Sequence, residues 1–363
     1  MRIWNVLLVL IGFLLGAAAL KADEDIFLRG KEKPTKGVIK SESPRGIVVG
    51  KDSFAAEEIV DVKYELAAVG DRIALYTPAI TAEKASLDPA QEANRKKLLG
   101  EAVKKYQETF AKVGAAEKNA KRHLEYKVAS LLVRQVQEDG AAPDEAIKKL
   151  KSFAANHAGG WQISHALISL GRLQLDAGDN EGAEASFQNL AALDVSEDTK
   201  LDAELMAVQV GIKNGKHAES QKKLQEIEAK LPKGSRFAAR ARVAQAECLV
   251  AAKKLDEAET LVRSVIKDTT DKQVKAVAHN TLGVCYFNND GRKKEAMWEF
   301  LWVDVVYNQD KVEHAKALYH LWKIFTELGE AERAQECRET LLTNPQFAGL
   351  EYQRMAQRES KTP

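Results

Sequence analysis

Six alanines recur along the chain at nearly constant spacing, and turn-forming residues come shortly before each of them. The alanines are Ala146, Ala183, Ala218, Ala258, Ala296 and Ala334. Their spacings are 37, 35, 40, 38 and 38 residues. A period of this size indicates a repeated pair of helices in which each copy covers the apolar face of the copy before it. The alanines mark the start of the second helix in each pair.

The best-preserved copy spans residues 161–193, where the pattern predicts a helix, a turn and a second helix. Leu170 and Gly171 lie on the first helix, and Ala183 and Phe187 lie on the second. The small residue Gly171 lets the two helices approach closely, and the aromatic ring of Phe187 fills the remaining space. This pattern explains how the copies stack, and it does not name a ligand.

The arrangement resembles the tetratricopeptide repeat, and the resemblance extends over about residues 119–345. It implies a mostly α fold in which about six helix pairs form a right-handed helix-hairpin solenoid over residues 88–347. The third copy departs from the family pattern, with Met206 at the small position and Lys222 at the aromatic position.

The resemblance also implies a concave groove that is lined by the first helix of each pair and binds a segment of another protein. The groove residues expected to contact this partner are His165, Arg172, Arg240, Asn280, Phe287, Lys316, Tyr319 and Lys323. Leu175, Val277 and Val284 supply apolar parts of the same groove. A groove of apolar patches with single basic residues is compatible with a helical or extended segment that carries carboxylates.

Residues 23–65 differ from the rest of the chain because short runs rich in Val and Ile alternate with turn signals. Val60, Val62 and Tyr64 alternate with charged residues, which is the period of a strand with one buried face. Four or five such strands predict a small β module, similar in style to SH3-like or Sm-like modules. A module of this size buries little core alone, so we expect it to pack against the helices that follow.

The segments on either side of the array are predicted to have little regular structure. Residues 66–87 are expected to form a connector without a helix, because Pro78 disfavours a helix across it. Asp88 and Pro89 then predict a helix start, as N-cap and first helical residue. Residues 348–363 are expected to form a polar tail with a short helix and a frayed end.

The first 22 residues have the features of a secretory signal peptide. Arg2 precedes an almost unbroken apolar run over residues 3–15, and small residues are frequent up to the candidate cleavage sites at Ala19 and Ala22. We therefore expect an exported protein, periplasmic or secreted, from which residues 1–22 are removed. The alternative is an uncleaved membrane anchor, and the chain has a membrane as a partner only in that case.

The charges of the chain are nearly balanced, with 54 Lys and Arg residues against 53 Asp and Glu residues and a net charge of +1. Removal of the signal peptide takes away Arg2 and Lys21 and leaves a net charge of −1. Proteins that bind nucleic acids usually carry a basic face, so no nucleic-acid partner is expected.

The sequence contains no pattern typical of an active site or a metal site. The motifs H-E-x-x-H and G-x-S-x-G and a Gly-rich phosphate loop are all missing. His314 and His320 are six residues apart, which places them on different faces of a helix. We therefore expect a protein that is not an enzyme and takes no cofactor or metal.

The chain has three cysteines, and all of them fall within helical patterns. Small disulfide scaffolds concentrate their cysteines, whereas Cys248, Cys285 and Cys337 are widely spaced, so we expect buried free thiols. A disulfide between Cys248 and Cys285, which occupy the same place in successive copies, is the alternative.

Aromatic residues are concentrated in the last two copies, in a chain that has only 7% of them. They are Tyr286, Phe287, Trp298, Phe300, Trp302, Tyr307, Tyr319, Trp322 and Phe325. Two interpretations are open. The aromatic residues form the core of the terminal layers, or they form a surface that binds a peptide.

These features predict a non-enzymatic scaffold or adaptor in the cell envelope that binds a partner protein in its groove. Self-association through the edge of the array is a second interpretation within the same class. From a different class, the alternative is an accessory subunit of a cell-wall or surface-modifying enzyme complex, with the β module contacting the substrate.

Overall fold

The computed structural model describes residues 23–64, 72–232, 234–289 and 291–359. The predicted signal peptide, residues 1–22, lies outside the described residues, as does the part of the predicted connector at 66–71. Within the described residues, six β-strands precede fifteen α-helices, which confirms the predicted order of a small β module and a helical array.

The β module consists of six short antiparallel strands in two three-stranded sheets. The strands are β1 (Glu24–Leu28), β2 (Thr35–Gly37), β3 (Ile39–Ser43), β4 (Gly46–Val49), β5 (Asp52–Ala55) and β6 (Ile59–Lys63). One sheet has the order β2-β1-β6 and the other has the order β3-β4-β5. Ile26 is opposite Val62 in the first sheet, and Ile47 is opposite Phe54 in the second. Ile26, Val62 and Ile47 are buried in a core that continues into the helices.

The helical array begins at residue 72 and consists of pairs of consecutive helices. The helices are α1 (Arg72–Leu87), α2 (Arg95–Lys112), α3 (Lys118–Asp139), α4 (Asp144–Asn156), α5 (Ile163–Asp176), α6 (Asn180–Ala192), α7 (Glu197–Lys213), α8 (His217–Ala229), α9 (Arg236–Ala251), α10 (Leu255–Asp268), α11 (Lys272–Phe287), α12 (Lys293–Val305), α13 (Lys311–Leu328), α14 (Ala331–Thr343) and α15 (Glu351–Glu359). Each odd-numbered helix up to α13 packs against the helix that follows it, and the odd-numbered helices from α7 to α13 also contact one another. The predicted helical-repeat solenoid is therefore confirmed.

Helix α1 corrects the prediction of a helix-free connector over residues 66–87. Pro78 lies inside this helix, where it removes one main-chain hydrogen bond. Tyr76 and Ala79 of α1 are nevertheless buried in the same core as Leu99 of α2. Burial of this apolar face offsets the cost of an internal proline, which is roughly 3 kcal/mol. The array therefore begins with one more helix pair than the sequence predicted.

The start of α2 also differs from the prediction. The carboxylate of Asp88 accepts a hydrogen bond from the main-chain nitrogen of Ala90 at 2.9 Å, so it caps a helix end as expected. The residues that follow, Pro89–Asn94, form a 3-10 helix, and the α-helix begins only at Arg95.

The third copy, formed by α7 and α8, has a different register from the one predicted. Ala218 is exposed, and Ser220 occupies the buried position. Ser220 is the fourth residue of α8, as Ala183 is the fourth residue of α6. With Ser220 in place of Ala218, the spacings become 37, 37, 38, 38 and 38 residues. The Ser220 hydroxyl lies 3.5 Å from the main-chain oxygen of Val208, so this polar group has a partner in the buried position.

The corrected register also restores the packing pattern of the third copy. Val208 takes the small position on the first helix, and Leu224 takes the aromatic position on the second. Both side chains are buried in one cluster. Val208 is larger than the glycine of the best-preserved copy, and Leu224 is smaller than its phenylalanine, so the total side-chain volume of the pair changes little. The assignment of Met206 and Lys222 to these positions was wrong.

The closest contacts between paired helices occur where an aromatic ring lies against a glycine. A β-carbon added at Gly171 would lie 2.6 Å from the ring of Phe187, and one added at Gly283 would lie 2.7 Å from the ring of Phe300. Non-bonded carbon atoms do not approach this closely, so any larger residue forces the ring to move. The expectation that a small residue permits close approach is confirmed.

A buried polar network joins the β module to the first three helices. The amino group of Lys127 on α3 lies 2.6 Å from the carboxylate of Glu83 on α1 and 3.3 Å from that of Asp61 on β6. His123 bonds Asp61 at 2.8 Å, and Tyr106 of α2 donates to Glu83 at 2.6 Å. Because the Lys127 side chain is only 9% exposed, these charges are compensated by one another rather than by water. The β module therefore packs against the helices, as expected.

Gly171→Ala should destabilise the protein by about 1–3 kcal/mol, because the added methyl group overlaps the ring of Phe187 in a packed core. Gly100→Ala in α2 is the matched control, since its β-carbon would lie 3.9 Å from Gln135 in an ordinary contact. Alanine is the better helix former, so the control should gain up to about 1 kcal/mol. Urea unfolding measures both changes, and shifts of the same sign would contradict the packing account.

Lys127→Met should destabilise the protein by about 3–5 kcal/mol at neutral pH, because it leaves two carboxylates together without their cation. Burial favours the neutral form of Asp61, but Lys127 and His123 outweigh it and hold the pKa of Asp61 well below its usual range. The stabilisation that the ionised Asp61 carboxylate provides is present above about pH 4 and is lost as the pH falls further. The difference between the variant and the wild type should therefore shrink below about pH 4.

Urea unfolding at several pH values tests this expectation. Lys118→Met, at the exposed start of α3, is the control and should change the free energy of unfolding by less than about 0.5 kcal/mol. A stability difference between Lys127→Met and the wild type that stays constant down to about pH 3 would contradict the proposed charge compensation.

Candidate protein-binding groove

A cavity of about 990 Å³ lies between the first helices of the pairs. Its walls come mainly from α5, α7, α9, α11 and α13, with one residue each from α6 and α10, and α15 contributes at one side. The apolar residues that line it are Leu175, Phe187, Met206, Val210, Ile212, Val250, Ala251, Leu255, Val277, Val284 and Val312. Ligand sites of this size usually combine apolar walls with a few polar groups that set orientation.

The polar groups of the cavity include charges of both signs. The charged residues that the array contributes are Arg172, Lys213, Lys253, Lys316, Glu247 and Glu313. Burial raises the pKa of Glu247, and Lys316 opposes this effect. Burial acts to lower the pKa of Lys316, but Tyr352, Glu313 and Glu247 outweigh it and raise that pKa. Lys316 is therefore a fixed positive charge in the wall at neutral pH.

The wall residues of three consecutive copies follow the period of the repeat. They lie 11 and 8 residues before the buried small residue that begins the second helix. Arg172, Gln209 and Glu247 are at the first position, and Leu175, Ile212 and Val250 are at the second. Arg172 and Leu175, which the resemblance implied for the groove, thus mark two wall positions that the next two copies share. Gln209 was missed because of the register error at Ala218, and Glu247 because only Arg240 was assigned in the fourth copy.

The eight predicted groove residues are not all in the cavity. Arg172 and Lys316 line it. Asn280 is buried and donates from its side-chain nitrogen to the main-chain oxygen of Glu313 at 2.9 Å and to its carboxylate at 2.7 Å. Asn280 therefore joins two helices of the wall, α11 and α13.

Two of the predicted residues contact other parts of the chain. The Nε2 atom of His165 lies 3.1 Å from the main-chain oxygen of Ala56, next to the β module strand β5. Arg240 forms an ion pair with Asp202 of α7. His165 thus helps to attach the β module, and Arg240 links α9 to α7.

The last three predicted residues lie near the C-terminal end of the array. The hydroxyl of Tyr319 donates to Glu359 at 2.5 Å, and Lys323 donates to the same carboxylate at 2.7 Å. Phe287 is partly buried, with its ring 5.3 Å from that of His320. Tyr319 and Lys323 therefore hold α15, a contact that the sequence did not indicate. That a partner touches these residues stays a prediction.

Helix α15, which the sequence predicted within a polar tail, packs against α13 and α14 and lines one side of the cavity. Its first residue, Glu351, accepts a hydrogen bond from Lys213 at the end of α7 at 2.8 Å. Burial raises the pKa of Asp176, at the end of α5, while the charges of Arg354, Lys311 and Lys213 act in the opposite direction. The ends of α5, α7, α13 and α15 therefore lie around one opening.

The aromatic residues of the last copies are divided between core and surface. Tyr286, Phe300 and Phe325 are at most 1% exposed and belong to one core cluster. Trp298 and Trp302 of α12 are 62% and 49% exposed, and they are not among the residues that line the cavity. The core interpretation therefore holds for Tyr286, Phe300 and Phe325, whereas peptide binding by the exposed aromatic residues stays a prediction.

The cysteines are free thiols, as predicted. Cys248 and Cys285 are buried and Cys337 is partly buried. Burial raises the pKa of Cys248 to about 11 and that of Cys285 to about 12, so both are protonated at neutral pH.

Both histidines of α13 contact other side chains of the protein. His314 bonds Asp304 at 2.7 Å, and the ring of His320 stacks on Phe300 with centroids 4.7 Å apart. Among the described residues, no group of three or more His, Cys, Asp and Glu side chains is placed to hold a metal ion. In the same residues, every helix is too short or too polar to span a bilayer.

Comparison with known proteins identifies the fold. No protein-family model and no curated protein matches the sequence. A tetratricopeptide repeat protein from Parabacteroides merdae is similar in structure, with 16% identity, a TM-score of 0.53 and coverage of 77% of this chain and 99% of the other. A Rap protein in complex with Competence and Sporulation Factor has 13% identity, a TM-score of 0.48 and coverage of 74% and 75%. The apo form of the quorum sensor NprR from B. thuringiensis has 15% identity, a TM-score of 0.45 and coverage of 74% and 81%.

Helix pairs that stack with a constant period define the class of protein as a helical-repeat solenoid. Within that class, the chain has the tetratricopeptide-repeat fold, as the residues at Gly171 and Gly283 implied.

Proposed function

We propose that this chain is a non-enzymatic interaction protein that binds a segment of a partner protein in the cavity between its first helices. The observation that carries the proposal is the cavity itself, whose mostly apolar walls come from five consecutive copies of the repeat. Solenoids of stacked helix pairs use such concave surfaces for binding. The fold supports this class of function only, and the partner's chemistry has to be argued from the wall.

The charges of the wall favour a segment that carries carboxylates. The helices up to α13 and their loops contribute four basic and two acidic residues to the lining, which gives a net charge of +2, and Glu351 of α15 lowers it to +1. Lys316 keeps its proton because of its surroundings, so part of this charge does not depend on solvent conditions near neutral pH. Apolar side chains of a partner would occupy the cavity while its carboxylates pair with the basic residues.

The proposed place of action is the cell envelope. The apolar run over residues 3–15 and the small residues that follow it support export of the chain. The partner is then another envelope protein.

Photo-crosslinking from inside the cavity tests the proposed site. A photoreactive phenylalanine analogue at Gln209, which lines the cavity, should crosslink in native envelopes to one defined partner segment rich in Asp or Glu, identified by mass spectrometry. The same analogue at Lys222, exposed on α8, is the control and should not yield this product.

Charge reversal in the wall makes the crosslinking test specific. Lys316→Glu should lower the yield from Gln209 by at least about tenfold, since it places a carboxylate against those of the partner. Lys267→Glu, on the exposed surface of α10, should leave the yield unchanged. Crosslinks that appear equally from both positions, or that ignore Lys316→Glu, would show that the cavity is not the binding site.

Cell fractionation tests the proposed location. The chain should be found in the envelope or the medium with a new N-terminus near residue 20 or 23, whereas a version that lacks residues 2–22 should stay in the cytosol. Mass spectrometry of the N-terminal peptide measures the outcome. Full-length chain in the cytosol would rule out export.

A further inference from the structure

Helix α15 is held at both ends by polar groups of the array. At its start, Glu351 accepts a hydrogen bond from Lys213 at 2.8 Å, across 138 positions of sequence. At its end, Glu359 accepts hydrogen bonds from Tyr319 at 2.5 Å and from Lys323 at 2.7 Å. The helix therefore presents carboxylates to the same kind of basic residues that line the cavity.

Between these ends, α15 places an aromatic side chain against the cavity. Tyr352 lines it together with Glu351. The ring of Tyr352 is 5.5 Å from that of Tyr319 and 6.1 Å from that of His320, both on α13. A ligand that has an apolar ring and carboxylates matches the apolar and basic residues of the walls. Helix α15 thus forms part of the wall of the cavity that the proposed partner would use.

Helix α15 is preceded by a buried anchor and a glycine turn. Phe347, just before the helix, is fully buried. Gly349 follows with a φ of +74°, and its main-chain nitrogen donates to the side-chain oxygen of Gln353 at 3.0 Å. Within α15, Gln353 and Ala356 are buried, and Tyr352 and Met355 pack against the cluster that contains Phe347 and Leu350. A helix of nine residues is too short to be stable alone, so α15 is ordered only while it stays on the array.

We propose that α15 is a latch at one side of the cavity, and that a partner segment displaces it by putting its own carboxylates in the places of Glu351 and Glu359. This inference rests on the proposed function, because it assumes that the cavity binds such a segment. The Lys213 and Glu351 side chains are each 54% exposed, and an exposed pair of this kind contributes little stability. This end of the latch can therefore be released at little cost, while the apolar contacts of Tyr352, Met355 and Ala356 hold the rest of it. Once α15 is displaced, Lys213 and Lys323 become contacts for the partner.

Hydrogen exchange of the unliganded full-length chain tests the latch directly. Lys213→Glu should speed amide exchange in α15 about fivefold, because it replaces an attraction by a repulsion. Lys223→Glu is the matched control, since Lys223 forms a similar exposed ion pair with Glu219 at 2.7 Å. The double variant Lys213→Glu with Glu351→Lys should restore slow exchange. Exchange in α15 that is the same in Lys213→Glu and Lys223→Glu would overturn the latch.

A peptide copy of residues 350–359 tests whether the place of α15 is a binding site. Full-length protein with Glu351→Gln, Tyr352→Ala and Glu359→Gln should bind the labelled peptide at least about tenfold more tightly than the wild type does, because the attached helix competes at high effective concentration. A peptide with both glutamates changed to glutamine should bind neither protein. Equal binding of the first peptide to both proteins, or binding to neither, would contradict the proposal.

The two proposals fail in different ways. If α15 exchange and peptide binding do not respond, but crosslinks from Gln209 still depend on Lys316, the cavity binds a partner and the latch is wrong. If α15 opens as expected, but no crosslink depends on Lys316, the latch exists and the proposed function is wrong.

Discussion

The structure depends on one kind of contact, in which a small residue on the first helix of a pair lies against a large residue on the second. Gly171 under Phe187 and Gly283 under Phe300 are its tightest forms, since neither glycine has room for a β-carbon. Val208 and Leu224 achieve the same fit with the sizes partly exchanged. The spacing between copies is 37 or 38 residues when Ser220 is counted in the third copy. In three consecutive copies, the residues 11 and 8 positions before Ala183, Ser220 and Ala258 therefore fall on one surface and line the cavity.

The two ends of this array are closed by interactions of different strength. At the N-terminal end, the buried Lys127 compensates Asp61 and Glu83, and the loss of any partner leaves an uncompensated charge. At the C-terminal end, the first residue of α15 is held by an exposed ion pair that water can replace at little cost. The β module is therefore attached through buried charges, whereas α15 is attached through an apolar cluster and exposed ion pairs.

The repeated features of the fold could be predicted from the sequence, whereas the features that depend on packing between separate elements could not. The period, the close contact at Gly171 and the wall positions Arg172 and Lys316 follow from local pattern. Helix α1 was missed because packing on α2 overrides the local effect of Pro78. The third copy was misread because Ser220 replaces the expected alanine, a change that keeps size but not residue type.

The remaining differences at the site arise from contacts between distant parts of the chain. His165 bonds the β module, and Tyr319 and Lys323 bond α15, which no local pattern could show.

Three native methionines can test the account, since Met206 lines the cavity, Met355 lies on α15 and Met297 lies on α12. With ¹³C-labelled methionine methyl groups, the account predicts that an excess of the peptide of residues 350–359 shifts the resonances of Met206 and Met355 together and leaves Met297 unchanged. Shifts confined to Met297, or no shift at saturating peptide, would contradict it.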